Sequence, residues 1–194
     1  MPGLPNWVRT IAPPAGRASG ILAAVFAPAL ASYTAVLMAD TSTPSWKESW
    51  QQLPFVFVAG AAASGAGVGL MAPLSESGPA RRLAIGAAVA ELASTEWMER
   101  SMGLSAEPYH QGTAGKIGRA ARAFLVAGGA LAVAGRRSRA ASVVAGLCLL
   151  SGAACTRFAI FEAGQASARD PKYVVVPQRE RLRRGQQASE RPIP

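Results

Sequence analysis

The sequence predicts an all-α fold: a polytopic bundle of about five transmembrane helices followed by a polar, basic tail. Three observations carry this. Half of the 194 residues are hydrophobic, while only 16% are charged and mean hydropathy is +0.20. The charges are bunched between long stretches that carry almost none, whereas a soluble helix interleaves them to solvate one face. The longest stretches also reach the about 20 residues needed to cross a hydrocarbon core of about 30 Å.

Met1 to Ala15 contains four prolines, Asn6 and Arg9. It has no continuous apolar core, so it does not read as a cleaved signal peptide, and residues 1–17 are expected to form a polar N-terminal segment. The bundle is expected over residues 18–164, with spans at 18–39, 53–74, 83–98, 117–135 and 140–161, and an extramembrane tail over 165–194.

The first span, Ala18 to Ala39, has 22 residues without a charge and contains Pro28. A membrane helix tolerates a proline where neighbours satisfy the freed carbonyl. Asp40, Thr41 and Pro44 end it, and Trp46 and Trp50 follow, rings suited to headgroup depth. The second run, Leu53 to Leu74, is again uncharged and holds Gly60, Ser64, Gly65, Gly67 and Gly69. Small residues at this spacing let another helix approach closely. They do not make a dinucleotide loop, which must follow a strand and open a helix.

After Arg81 and Arg82 the third segment is interrupted by Glu91 and Glu96. The fourth apolar stretch, Ala123 to Gly135, reaches spanning length only if Ile117 to Arg122 lies at the interface with its cations snorkelling. Arg136, Arg137 and Arg139 turn the chain into the fifth run, from Ala140 through Thr156 and Arg157. In the tail, Val174 to Val176 suit a short strand against a partner, and the last ten residues have a disordered composition. Counted over short loops, Lys and Arg split seven against five between the two sides, which does not fix the orientation.

The net charge of +9 does not indicate nucleic acid, because the cations sit beside apolar runs, where they act as headgroup and topology determinants. Arg179, Arg181, Arg183 and Arg184 suit anionic lipid or a partner surface, or a plain solvated tail. Cys148 and Cys155 lie seven residues apart on one helix, about 10.5 Å along its axis, too far for a disulfide. A membrane haem needs ligands inside the bundle, and the single histidine, His110, is in a loop. Two cysteines cannot hold an iron–sulfur cluster. The chain is therefore expected to bind no cofactor or metal and to supply no catalytic residue of its own.

Ionisable groups in or beside the spans are the remaining leads, each costing about 2.5–3.5 kcal/mol or more at mid-bilayer unless it faces protein or water. Glu91 and Glu96 are candidates for relaying protons to a quinone pocket, with Arg157 as counter-ion and Glu162 as a further ionisable group. The plainer alternative is that Glu91 pairs with an arginine to hold helices together. Tyr33 and Thr34, with Asp40 at the end of their span, are candidate quinone-binding residues, since a phenol or hydroxyl can donate to a quinone carbonyl. The same hydroxyls more often bond a neighbouring helix.

The strings FAPALASYTAVLMADTSTPSW, LPFVFVAGAAASGAG and TRFAIFEAGQASARDPKYVVVPQRERL resemble the C-terminal half of actinobacterial members of the NrfD/PsrC, or polysulfide reductase, family of membrane subunits. The similarity covers roughly Arg17 to Leu182. The resemblance implies a cofactor-free helical subunit of the bacterial plasma membrane. Such a subunit exchanges electrons and protons with menaquinone while docked to an iron–sulfur subunit and a molybdopterin catalytic subunit. It also brings Tyr33 forward, because SYTAVL resembles the family's tyrosine-containing helix near the quinone site. Family members generally have eight or more spans, so a chain matching one half is expected to be a truncated frame, a fragment or half of a split subunit. The alternative functions are a membrane anchor that never touches quinone and a small transporter, which the weak internal symmetry does little to support.

Overall fold

A computed structural model describes residues 6–189. The described residues are helical with no strand: α1 (Asn6–Ala39), α2 (Pro44–Glu48), α3 (Leu53–Gly69), α4 (Gly78–Ser101), a 3-10 turn (Gly103–Ala106), α5 (Glu107–His110), α6 (Gly112–Ala134), α7 (Arg139–Arg169) and α8 (Lys172–Ser189). The all-α bundle read from the sequence is the fold observed. Thr10–Ala39, Gly112–Ala134 and Arg139–Arg169 are long and apolar enough to cross a membrane, and α3 is a shorter apolar helix.

Several boundaries differ from those expected. α1 begins at Asn6, inside the segment expected to be merely polar, and runs through Pro13 and Pro14. Proline forfeits its own N–H bond, but its fixed φ is helical. α7 continues to Arg169, past the expected end of the bundle. The expected strand at Val174–Val176 is a correction: these valines lie in α8. Asp170 Oδ1 accepts the Lys172 N–H at 2.9 Å, and that capping bond with Pro171 starts a helix that overrides the β-branched preference of the valines. Of the last ten residues, expected to be disordered, 185–189 belong to α8 and the rest lie outside the described residues.

The long helices α3, α4, α6 and α7 pack against one another, and α1 leans on α3. At one end the chain turns directly, through residues 70–77 and 135–138. At the other, α2, the 3-10 turn, α5 and α8 form a cap. Glycines with positive φ, Gly103 (+53°) and Gly112 (+54°), make its sharp reversals. Buried serines stitch the cap: Ser45 donates its N–H to Ser167 Oγ at 3.3 Å and its hydroxyl to the Ser105 carbonyl at 3.0 Å. Trp46 is half-buried rather than free at the interface, its indole N–H donating to the Ile160 carbonyl at 2.9 Å. Trp50 is exposed.

Two apolar clusters fill the bundle. The one at the capped end is built of large side chains, among them Leu53, Phe57, Met98, Met102, Tyr109 and Ile160. The one at the turn end is mostly alanine: Ala63, Ala66, Ala84, Ala87, Ala88, Ala132 and Ala145, with Leu70, Leu125 and Leu149. On α3, α4 and α7 the residues between the two clusters include Gly60, Glu91, Thr156 and Arg157.

Candidate functional site

That intermediate layer brings together two of the candidates read from the sequence. Glu91 on α4 is fully buried, and neither of its carboxyl oxygens has a hydrogen-bond partner within the protein. Arg157 comes from α7. Its guanidinium donates to the Ala153 carbonyl at 3.0 Å and to the Phe57 carbonyl at 3.2 Å, and lies 5.2 Å from the Phe57 ring centroid. Gly60 makes room for both. A Cβ there would stand 2.6 Å from Arg157 Nη1 and 3.1 Å from Glu91 Oε1, so the close approach requires glycine. Arg157 is thus pinned by backbone carbonyls and an aromatic face, and no ion pair within 4.0 Å joins it to Glu91 among the described residues. Thr156 lies beside the Glu91 carboxyl, its own hydroxyl donating to the Gly152 carbonyl at 3.1 Å.

Glu96 is not part of this layer. Five residues on from Glu91 it lies roughly 140° around the helix, half-exposed and bonded to Arg100 at 2.8 Å. Ser94, Thr95 and Met98, at i+3, i+4 and i+7, share Glu91's face, and Glu99 at i+8 borders it. Glu99 accepts a hydrogen bond from Arg122, and His110 Nε2 is 3.6 Å away. Thr95, Glu99, Tyr109, Arg122 and Thr156 line a cavity of about 20 Å³ near the capped end. The Tyr109 hydroxyl is buried and unpartnered. Burial pushes this phenol above its ordinary range, with the charge of Glu99 adding to the effect. Glu162 is half-buried on α7, beside a surface pocket that Arg169 and Asp170 also line.

Tyr33, Thr34 and Asp40 sit elsewhere. All three are exposed, Tyr33 (59%) and Thr34 on α1 and Asp40 just past its end. Tyr33, Val36 and Asp40 fall at i, i+3 and i+7, one outward stripe. Val36 and Asp40 line a cleft of about 690 Å³ with Ala39, Lys47, Trp50, Gln51 and Pro54. Thr34 lies off this stripe. The structure therefore presents two separate arrangements, a sealed polar layer and an open cleft, and does not join Tyr33 to Glu91.

The family profile described as polysulfide reductase, NrfD type, matches residues 10–170. The chain belongs to this polysulfide reductase family. It is accordingly a membrane subunit of a respiratory oxidoreductase, the class that the resemblance in its sequence implied. None of the curated proteins and none of the solved structures matches it. The family match takes in α1 to α7, hence both arrangements, and stops at Asp170, before α8.

Arg81, Thr156 and Tyr109 are among the buried polar groups that the sequence reading missed. Arg81, counted there as a loop cation, is buried and donates to the Ala132 carbonyl at 2.7 Å and to Ser142 Oγ at 3.4 Å. Its long side chain ties the start of α4 to α6 and α7. The α4 spacing Glu91, Thr95, Glu99 was available as a signal in the sequence.

Proposed function

We propose that this polysulfide reductase-family subunit passes electrons and protons between menaquinone in the bacterial plasma membrane and an iron–sulfur partner subunit, itself attached to a molybdopterin catalytic subunit. The observation that carries the reading is the outward stripe of Tyr33, Val36 and Asp40 running into the cleft beside Lys47 and Trp50. The cleft lies at the end of α1, where a lipid-soluble ring can enter from the bilayer and still meet polar groups. The Tyr33 phenol would donate to one quinone carbonyl. Reduction to the quinol takes two electrons and two protons. The electrons come from the partner, and Asp40 can pass protons from solvent because it is exposed.

Affinity purification of the tagged protein from detergent-solubilised membranes, with identification of co-purifying chains and extracted quinone, tests this. Recovery with an iron–sulfur subunit and menaquinone is expected. In that complex Tyr33→Phe should raise the KM for quinone roughly tenfold, the worth of one lost hydrogen bond of about 1.4 kcal/mol. A complex that assembles without quinone and is indifferent to Tyr33→Phe would leave the chain a membrane anchor.

A further inference from the structure

We propose that Glu91 exchanges its proton with water at the capped end of the bundle, through the small cavity bounded by Thr95, Thr156 and Tyr109, with Glu99 as the outer acceptor. The inference concerns the sealed layer alone and does not require quinone to bind at the α1 cleft. It starts from placement. Glu91 is fully buried between two apolar clusters, with no protein group bonded to either oxygen. A carboxyl held this way can change its charge only if a proton can travel to it.

The apolar cluster toward the turn end offers no hydroxyl or carboxyl along α4, since its α4 members are Ala84, Ala87 and Ala88. Toward the capped end the same face of α4 carries Thr95, and Glu99 borders it a turn further on. Glu99 is about 12 Å from Glu91 along the axis, beyond direct transfer. Part of the gap is taken up by the cavity, which Thr156 rather than Glu91 lines and whose volume of about 20 Å³ exceeds the roughly 10–15 Å³ that one water needs. Its polar lining gives that water partners. Thr156 lies beside Glu91 and lines the cavity, and Tyr109 lines it too with a buried hydroxyl that also lies near Ser49.

The step involves no redox change. The Glu91 O–H bond breaks as its proton passes to the Thr156 hydroxyl, Thr156 gives its own proton to the cavity water, that water gives one of its own to the Glu99 carboxylate, and the reverse sequence reloads Glu91. Arg157 faces Glu91 from α7. Arg122 from α6 and His110 from α5 face Glu99, and Glu96 reaches the same Arg122 at 3.9 Å. Arg122 and His110 are themselves partly exposed, with side chains 41% and 56% accessible, so protons arriving at Glu99 leave to water.

The test is rapid-mixing infrared spectroscopy of the full-length protein in lipid nanodiscs, transferred from H2O to D2O. The Glu91 C=O band is assigned as the one that Glu91→Gln removes. In the wild type the band should shift far faster than the α4 backbone amides exchange. Tyr109→Phe and Ala121→Leu, the latter filling the cavity, should each slow it about tenfold or more, and Glu96→Gln should leave it unchanged. If Ala121→Leu does not fold, Glu99→Gln takes its place. The proposal is overturned by a wild-type band that exchanges only with the backbone, by wild-type rates in Tyr109→Phe and the second variant, by an equal slowing in Glu96→Gln, or by the lack of any such band.

Discussion

The two halves of the bundle hold their helices together in opposite ways. At the turn end, backbones meet: a Cβ on Gly67 would stand 2.8 Å from the Gly146 carbonyl oxygen, and one on Gly128 would be 3.1 Å from the Ala145 carbonyl oxygen. At the capped end, Phe57, Met98, Met102, Tyr109 and Ile160 fill the wider space between helices. Lipid is as apolar as these side chains, so neither half is driven together by water, and van der Waals fit and hydrogen bonds must do it. Close backbone contact leaves no room to adjust. Large flexible side chains can repack and leave small voids, and the one-water cavity borders this second half.

The contrast would break first at the turn end. Gly146→Leu or Gly67→Leu should force α3 and α7 apart and cost about 3 kcal/mol or more, read as loss of the monodisperse fraction on heating in detergent. A tolerated leucine at either position would mean that the two helices do not cross as described. At the capped end, Met98→Ala removes a fully buried side chain and should cost less, about 2–3 kcal/mol by cavity formation, leaving a folded protein with a lower midpoint in the same assay. Equal losses in the two halves would erase the distinction.

Gly60→Ala probes the boundary between them. Its Cβ would collide with the end of a flexible side chain, Arg157, not with backbone. The guanidinium can swing aside at the loss of one carbonyl bond, about 1 kcal/mol. Stability should fall only slightly, while the H2O-to-D2O exchange rate of the Glu91 C=O band should change severalfold because Glu91 loses the cation it faces. An unchanged exchange rate would relegate Arg157 to structure.

How much of this was legible in the sequence follows the same division. Apolar runs gave the long helices, and Glu91 and Arg157 stood out as charges within them. What they face was harder to read, since it depends on rotation about each helix. Glu96 looked equivalent to Glu91 by composition and was separated from it by helical phase alone. Tyr33 was named for its chemistry, but its exposure depends on Ala35 turning inward against α3. Tyr109 and Glu99 were hidden in a polar loop, because only tertiary folding brings α5 back under α4. The valines of α8 read as strand until the cap at Asp170 decided otherwise.

The smallest expected effect lies in the cap, where α8 is held by a surface pair. Lys172 Nζ lies 2.5 Å from Glu107 Oε2, with both side chains partly exposed. Hydrogen bonding to Lys172 holds the Glu107 carboxyl below its ordinary 4.5, and the same bond holds Lys172 above its ordinary 10.5. A lowered carboxylate contributes above its unfolded value and loses that contribution as pH falls through the folded one. A raised ammonium contributes below its unfolded value and loses it as pH rises. The pair should therefore steady α8 fully between pH 4.5 and 10.5 and progressively less outside that window. Glu107→Gln should speed amide hydrogen exchange in the first turns of α8 by about twofold at neutral pH and low salt, since exposed pairs are weak and screened. The wild type should converge on the variant as the pH drops below 4.5. A difference that persisted in acid would show that something other than this ion pair holds α8 to the cap.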